Sequence, residues 1–183
     1  ADPHRRAALD KCKAALHLAD AVGARCCLNF AGTRQPGGFY EPHPDNLADD
    51  TFDLIVEITR EVIDAVAPKY TSFALETMPW VFPDSADSYL RLINAIDREH
   101  FAAHLDLVNL LYSPHLFFDN TTVIRDCFQK LGPHIKSAHA KDIRLGPELT
   151  VHLDEVRPGL GSLDYLTFLQ EMDKLRADTP LML

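Results

Sequence analysis

The sequence has no apolar run approaching the roughly 18 residues that a membrane span requires, and its first residues lack the basic-then-apolar layout of a signal peptide. It contains neither GxGxxG nor GxxxxGK[ST], so the phosphate-binding turn common in open doubly wound sheets is missing. Basic side chains are the scarcer charge, 18 against 27 acidic ones, and the net charge of −9 argues against a nucleic-acid footprint or a polybasic membrane anchor. Cysteine is sparse as well: Cys12, Cys26, Cys27 and Cys127 form no CxxC pair, which makes a reducing cytoplasm the expected location. Cys26 and Cys27 are adjacent in an expected strand and point to opposite faces, so they cannot grip one metal together and read as small buried hydrophobes. What is present is an ordinary soluble composition, 183 residues with 46% hydrophobic and 25% charged, enough for one domain over 1–183 with one core.

Periodicity then alternates. Asp2-Pro3 opens a helix that carries Leu9, Cys12, Leu16, Ala19 and Val22 at helical spacing until Gly23. An apolar strand over 25–30 follows, then a glycine- and proline-rich loop over 31–44, long enough to suggest function. Helices are predicted over 45–67, from the cap at Asp84-Ser85 through Ile96, over 120–131 and from Ser162 or Asp164 to about Arg176. Between them lie strands over 72–76, 101–106 and 135–140, then a long polar loop to Gly161, with a last strand beginning at 181–183. Each helix returns the chain to the same end of the next strand, which builds a parallel sheet. Without a phosphate turn, a (β/α)8 barrel is favoured over an open sheet. Such a barrel takes about 250 residues and eight strands, so five strand candidates and abrupt ends predict an incomplete one.

The chemistry concentrates at strand ends. Glu76 closes one strand, Asp106 the next, and His139 stands near the end of the one after, spaced by 30 and 33 residues. A single polar residue at a strand end is ordinary. Three on consecutive strands can meet at the rim where a barrel keeps its active site. Two carboxylates and an imidazole suit a divalent cation of intermediate hardness: manganese, cobalt, magnesium or zinc. His104, two residues before Asp106, lies on the same strand face and is a candidate neighbour of the site. His43 and His152 fall in loops of the rim.

Leu75-Glu76-Thr77-Met78-Pro79-Trp80, His104-Leu105-Asp106-Leu107-Val108-Asn109, Ser137-Ala138-His139-Ala140-Lys141-Asp142 and Arg157-Pro158-Gly159-Leu160-Gly161, in this order and spacing, resemble the xylose isomerase-like TIM-barrel superfamily, in its bacterial sugar phosphate isomerase/epimerase branch. The resemblance spans nearly the whole chain, from about strand 3 to the start of strand 7 of the barrel. It implies one divalent metal, commonly manganese, held by Glu76, Asp106, His139 and a second glutamate that would fall directly after Leu183. It further implies that Glu76 also acts as acid and base. Many epimerases of the superfamily carry Asp-x-x-His where this chain has Asp106 and Asn109, and an amide can bond a hydroxyl but cannot transfer a proton near neutral pH.

The implied reaction is a metal-dependent isomerisation or epimerisation of a sugar or sugar phosphate. A cation on a ketose carbonyl and its neighbouring hydroxyl eases removal of the intervening proton and stabilises the enediolate, with Glu76 as the base. Trp80, Asn109, Lys141, Arg144 and Arg157 are the candidate substrate contacts. A sugar-type dehydratase is the near alternative. An endonuclease IV-type phosphodiesterase would need more histidines and sits poorly with the negative charge, and an inactive binding fragment is the non-enzymatic reading. No nucleic acid or membrane partner is expected, and homo-oligomerisation stays open.

Overall fold

The computed structural model describes residues 3–38 and 41–183, so the helix cap expected at Asp2 lies outside the described residues. The helices are α1 (Pro3–Ala21), α2 (Asp49–Val66), α3 (Ala86–Ile96), α4 (Pro114–Phe118), α5 (Asn120–Leu131) and α6 (Tyr165–Met172). The strands are β1 (Cys26–Asn29), β2 (Ser72–Glu76), β3 (Phe101–Leu105), β4 (Ile135–His139), β5 (Asp142–Leu145), β6 (Leu153–Val156) and β7 (Leu181–Met182). One curled sheet runs β1-β2-β3-β4-β7 with every neighbouring pair parallel. Strand order follows chain order without reversal, which is the winding of a barrel and not of a doubly wound sheet. The sheet is an incomplete (β/α)8 barrel.

Alternation along each strand assigns its two faces. Phe73, Leu75, Phe101, Ala103 and Leu105 pack outward into a core shared with Ile55 and Val62 of α2, Leu92 and Ile96 of α3, and Ile124 and Leu131 of α5. Between them they leave Ala74, Glu76, Ala102 and His104 to the barrel interior. Helix ends are set by local chemistry. Ser85 and Ser88 form a reciprocal capping box at the start of α3, and left-handed Ala67 and Asp97 close α2 and α3. The fully buried Tyr89 of α3 drives its hydroxyl between two strands. There it accepts the N–H of Leu75 at 3.1 Å and of His104 at 3.3 Å and lies 2.9 Å from the carbonyl of Ala102.

The β3–β4 ladder contains one irregularity. Ala103 pairs with Ile135 but His104 pairs with Ser137, so Lys136 is an extra residue on β4. Ile135 stays in the helix-side core while Ser137 and His139 face the interior.

Five features differ from the sequence expectations. The polar loop expected after β4 is an antiparallel hairpin, β5 with β6, whose four-residue strands are too short for period-two alternation to stand out. The second helix opens as a separate 3-10 turn over Pro44–Leu47 before α2. The last helix ends at Met172, short of Arg176, and α4 was not foreseen. Cys26 and Cys27 are half-buried, because β1 has a neighbouring strand on one side only. No helix among the described residues is long and apolar enough to cross a membrane.

Candidate metal centre

Three consecutive parallel strands deliver their last inward side chains to one point. Glu76 ends β2, Asp106 directly follows β3 and His139 ends β4. His139 Nδ1 stands 3.2 Å from Glu76 Oε1 and 3.1 Å from Asp106 Oδ2. Lys141, two residues beyond His139, donates to Asp106 Oδ2 at 2.8 Å and to Glu155 Oε2 of β6 at 3.1 Å, which ties the hairpin to the cluster. The other Asp106 oxygen accepts the N–H of Val108 at 3.1 Å and of Asn109 at 3.4 Å, fixing the carboxylate against the turn that follows it. Thr77 Oγ1 donates to the Asp106 carbonyl at 2.7 Å and accepts its N–H at 2.9 Å, so the ends of β2 and β3 are clamped together.

Charge follows from this geometry. Burial opposes ionisation of Asp106, whose side chain is fully covered, but hydrogen bonds from His139 and Lys141 outweigh it and hold the carboxyl at about 2. The same bonds, to Asp106 first and Glu76 second, push the His139 imidazole up to about 9. Burial would lower Lys141, yet its contact with Asp106 wins and its ammonium is raised. His104 moves the other way: burial, and then the neighbouring His139, bring it down to about 4, so it is neutral at pH 7. The cluster is therefore two carboxylates bridged by the His139 imidazolium, with the Lys141 ammonium on Asp106 and a neutral imidazole beside Glu76.

Whether these residues fit a cation can be tested on the donor atoms. Adjacent ligands around an octahedral ion bound at about 2.1 Å are about 3.0 Å apart, and His139 Nδ1 already stands near that distance from both carboxylates. Glu76, His104 and His139 each offer one ligand atom, and these three lie within 4.8 Å of one another. His104 Nε2 is buried without a hydrogen-bond partner, a cost that an approaching cation would remove. The donor set fits a divalent ion.

The remaining sequence candidates separate into near and far. Lys141 is in the cluster. Asn109 Nδ2 donates to the Thr77 carbonyl at 3.0 Å and approaches Glu76 Oε1 at 3.4 Å, so its amide orients the glutamate. Trp80 is half-buried in the turn after Glu76. Arg144 lies on β5, mostly exposed, with its guanidinium 3.8 Å from Asp154 across the hairpin. Arg157 is exposed at the start of the loop after β6. That loop is anchored by the buried Asp142, whose oxygens accept the N–H groups of Ile143, Gly159, Gly161 and Leu163 at 2.8–3.0 Å. A Cβ at Gly161 would overlap the Asp142 carboxylate and the Ile143 carbonyl, so glycine is required there. His43 caps the 3-10 turn through Nδ1, accepting the Asp45 N–H at 3.2 Å.

Sequence reasoning did not place Ser137, Thr77, Glu155 or the full part of His104 in the site. The period-two alternation that marked His104 from Asp106 could equally have found Ser137 from His139. Glu155 could not be found without the hairpin.

A family model described as xylose isomerase-like TIM barrel matches residues 1–183. No curated protein sequence gives a significant match. Solved structures do. A probable 3-DHS dehydratase, AsbF, from Bacillus anthracis is 20% identical with a TM-score of 0.72, covering 100% of this chain and 64% of that one. A xylose isomerase-like TIM barrel protein from Mycobacterium smegmatis in complex with magnesium is 17% identical with a TM-score of 0.68, covering 95% and 58%. A D-psicose 3-epimerase with D-tagatose from Clostridium cellulolyticum H10 is 12% identical with a TM-score of 0.65, covering 100% and 57%. The chain thus spans 57–64% of the length of these structures.

Proposed function

Because the chain belongs to the xylose isomerase-like TIM-barrel family, we propose that its barrel mouth binds one divalent cation through Glu76, Asp106 and His139 and moves a proton next to the carbonyl of a small sugar or sugar phosphate, as an isomerase or epimerase does. The observation that carries this reading is the convergence of both carboxylates on one imidazole nitrogen at 3.1–3.2 Å. The cation, manganese by family resemblance, would supply charge that polarises the substrate carbonyl and its neighbouring hydroxyl.

The protein's own groups do the rest. Glu76, partly open to the mouth, takes the proton on the carbon next to the carbonyl and returns it, and Asn109 holds the carboxylate in aim. Asp106 stays ionised throughout because Lys141 and two backbone N–H groups share its charge. Lys141, bonded to Asp106 and Glu155, has a third ammonium hydrogen for a substrate oxygen. Trp80, in the turn after Glu76, supplies an apolar wall for the sugar. Arg144 and Arg157, on the hairpin and the loop beyond it, meet the hydroxyl-rich or anionic end. Supply of substrate from the cytoplasm and the absence of nucleic-acid partners belong to the same reading, in keeping with the charge of −9.

A dehydratase is the second reading, and Lys141 favours it: an ammonium 2.8 Å from Asp106 is placed to protonate a departing β-hydroxyl. One experiment separates the two. Ketoses are incubated with the metal-loaded protein in D2O and followed by NMR: deuterium appearing beside the carbonyl supports isomerase or epimerase chemistry, and loss of water to an unsaturated product supports dehydration. Glu76→Gln abolishes either. Turnover unchanged in that variant would refute the assignment.

A further inference from the structure

Next to the rim cluster stand three side chains that the proposed reaction does not use: His104, Ser137 and Cys26. Register places Glu76 of β2 beside His104 of β3 and His104 beside Ser137 of β4, so the three stand side by side facing the interior. His104 Nδ1 is 2.7 Å from Ser137 Oγ, and Ser137 Oγ is 3.2 Å from Cys26 Sγ, reaching across from β1. His104 has no exposed surface, and Nε2, the nitrogen not engaged with Ser137, has no hydrogen-bond partner. Its ring stands edge-on to that of His139 with centroids 4.3 Å apart.

A neutral imidazole carries one proton, and its position decides what Nε2 can do. With the proton on Nε2, a buried N–H would have no acceptor in hydrogen-bonding reach. With the proton on Nδ1, Ser137 Oγ accepts it, the Ser137 hydroxyl is free to donate to Cys26 Sγ, and Nε2 keeps an unshared lone pair on a ring that brings one nitrogen within 4.8 Å of donor atoms of Glu76 and His139. We propose that His104 is a further metal ligand through Nε2, held as its Nδ1–H tautomer by Ser137 with Cys26 behind it, and that the resulting pair of imidazoles makes the site select zinc or cobalt over magnesium. This rests on the reading of the cluster as a divalent-cation site. The selectivity follows from donor type: two nitrogens and carboxylate oxygens suit zinc and cobalt, whereas magnesium prefers oxygen ligands and gives up water reluctantly. Ser137 is a positioning residue, acting on the ion only through His104.

The test uses the 183-residue chain with zinc, cobalt and magnesium titrated calorimetrically into wild type, His139→Ala, His104→Asn, Ser137→Ala and Ser137→Thr. Ser137→Ala is expected to weaken zinc binding by about 10- to 100-fold, to leave magnesium nearly unchanged and to alter the visible spectrum of bound cobalt, and Ser137→Thr restores the wild-type values. Independently of any metal, long-range ¹H–¹⁵N correlation on the metal-free chain is expected to show His104 protonated on Nδ1, with tautomer mixing in Ser137→Ala. Zinc binding that needs His139 but is indifferent to His104→Asn and Ser137→Ala, or an Nε2–H tautomer in wild type, overturns this proposal alone. Absence of cation binding by wild type overturns it together with the reading beneath it.

Discussion

A cation entering the cluster must displace the proton on His139, and the size of that competition follows from the geometry. Bonds to Asp106 and Glu76 hold the imidazole at about 9, so at pH 7 only about one molecule in a hundred carries it neutral, and apparent metal affinity rises about tenfold per pH unit from 6 to 8. An ordinary imidazole near 6.5 would already be about three-quarters neutral at pH 7 and would gain less than about 1.5-fold beyond it. Titration of manganese by calorimetry at half-unit steps, repeated in buffers of different ionisation enthalpy, reads both the slope and the protons released. About one proton per ion at pH 7 is expected. An affinity flat from pH 7 to 8.5, with proton release below about 0.3, would show that the two carboxylates do not grip the imidazole as described.

The metal-free protein carries the mirror of this effect. The raised His139 contributes stability that is complete below about 6.5 and lost as pH rises through about 9, and the depressed Asp106 contributes stability that is complete above about 4 and lost as pH falls towards 2. The buried His104, brought down to about 4, costs stability as pH falls from about 6.5 towards 4, so the melting temperature should crest near pH 6.5, and scanning calorimetry that finds the crest above pH 8 would contradict the network. Asp142→Ala strips four backbone N–H groups of their acceptor and should cost about 3–5 kcal/mol in urea unfolding. Hydrogen exchange at Gly159, Gly161 and Leu163 should quicken in the same variant, and unaltered exchange would remove Asp142 as the anchor. Tyr89→Phe withdraws the hydroxyl lodged between β2 and β3 and should cost about 1–3 kcal/mol in the same assay, whereas a neutral result would mean that water takes its place.

The barrel winding was readable because strand and helix lengths alternate cleanly and no phosphate turn interrupts them. That three polar strand ends would gather at the rim was readable for a similar reason. Glu76, Asp106 and His139 are polar residues closing apolar strands, and parallel connections bring such ends to one side. The hairpin over 142–156 was not readable, because its strands are four residues long and hold Asp142, Arg144, Asp154 and Glu155. With it went Glu155, which meets Lys141 only after the chain doubles back. Asn109 looked like a substrate contact because its position follows Asp106 by three, but its amide is turned to the Thr77 carbonyl and Glu76. That orientation depends on how the two turns nest, which no local pattern encodes.

The extra residue at Lys136 decides the parity of β4. In a regular strand Ile135, Ser137 and His139 would share a side, and either the helices would lose an apolar anchor or the mouth would lose its imidazole. The insertion lets one five-residue strand satisfy both masters. What is protected there is a count, not a side chain: replacing Lys136 leaves the odd-even bookkeeping intact, while shortening the strand by one residue between 137 and 139 would turn His139 towards the helices with every other residue unchanged.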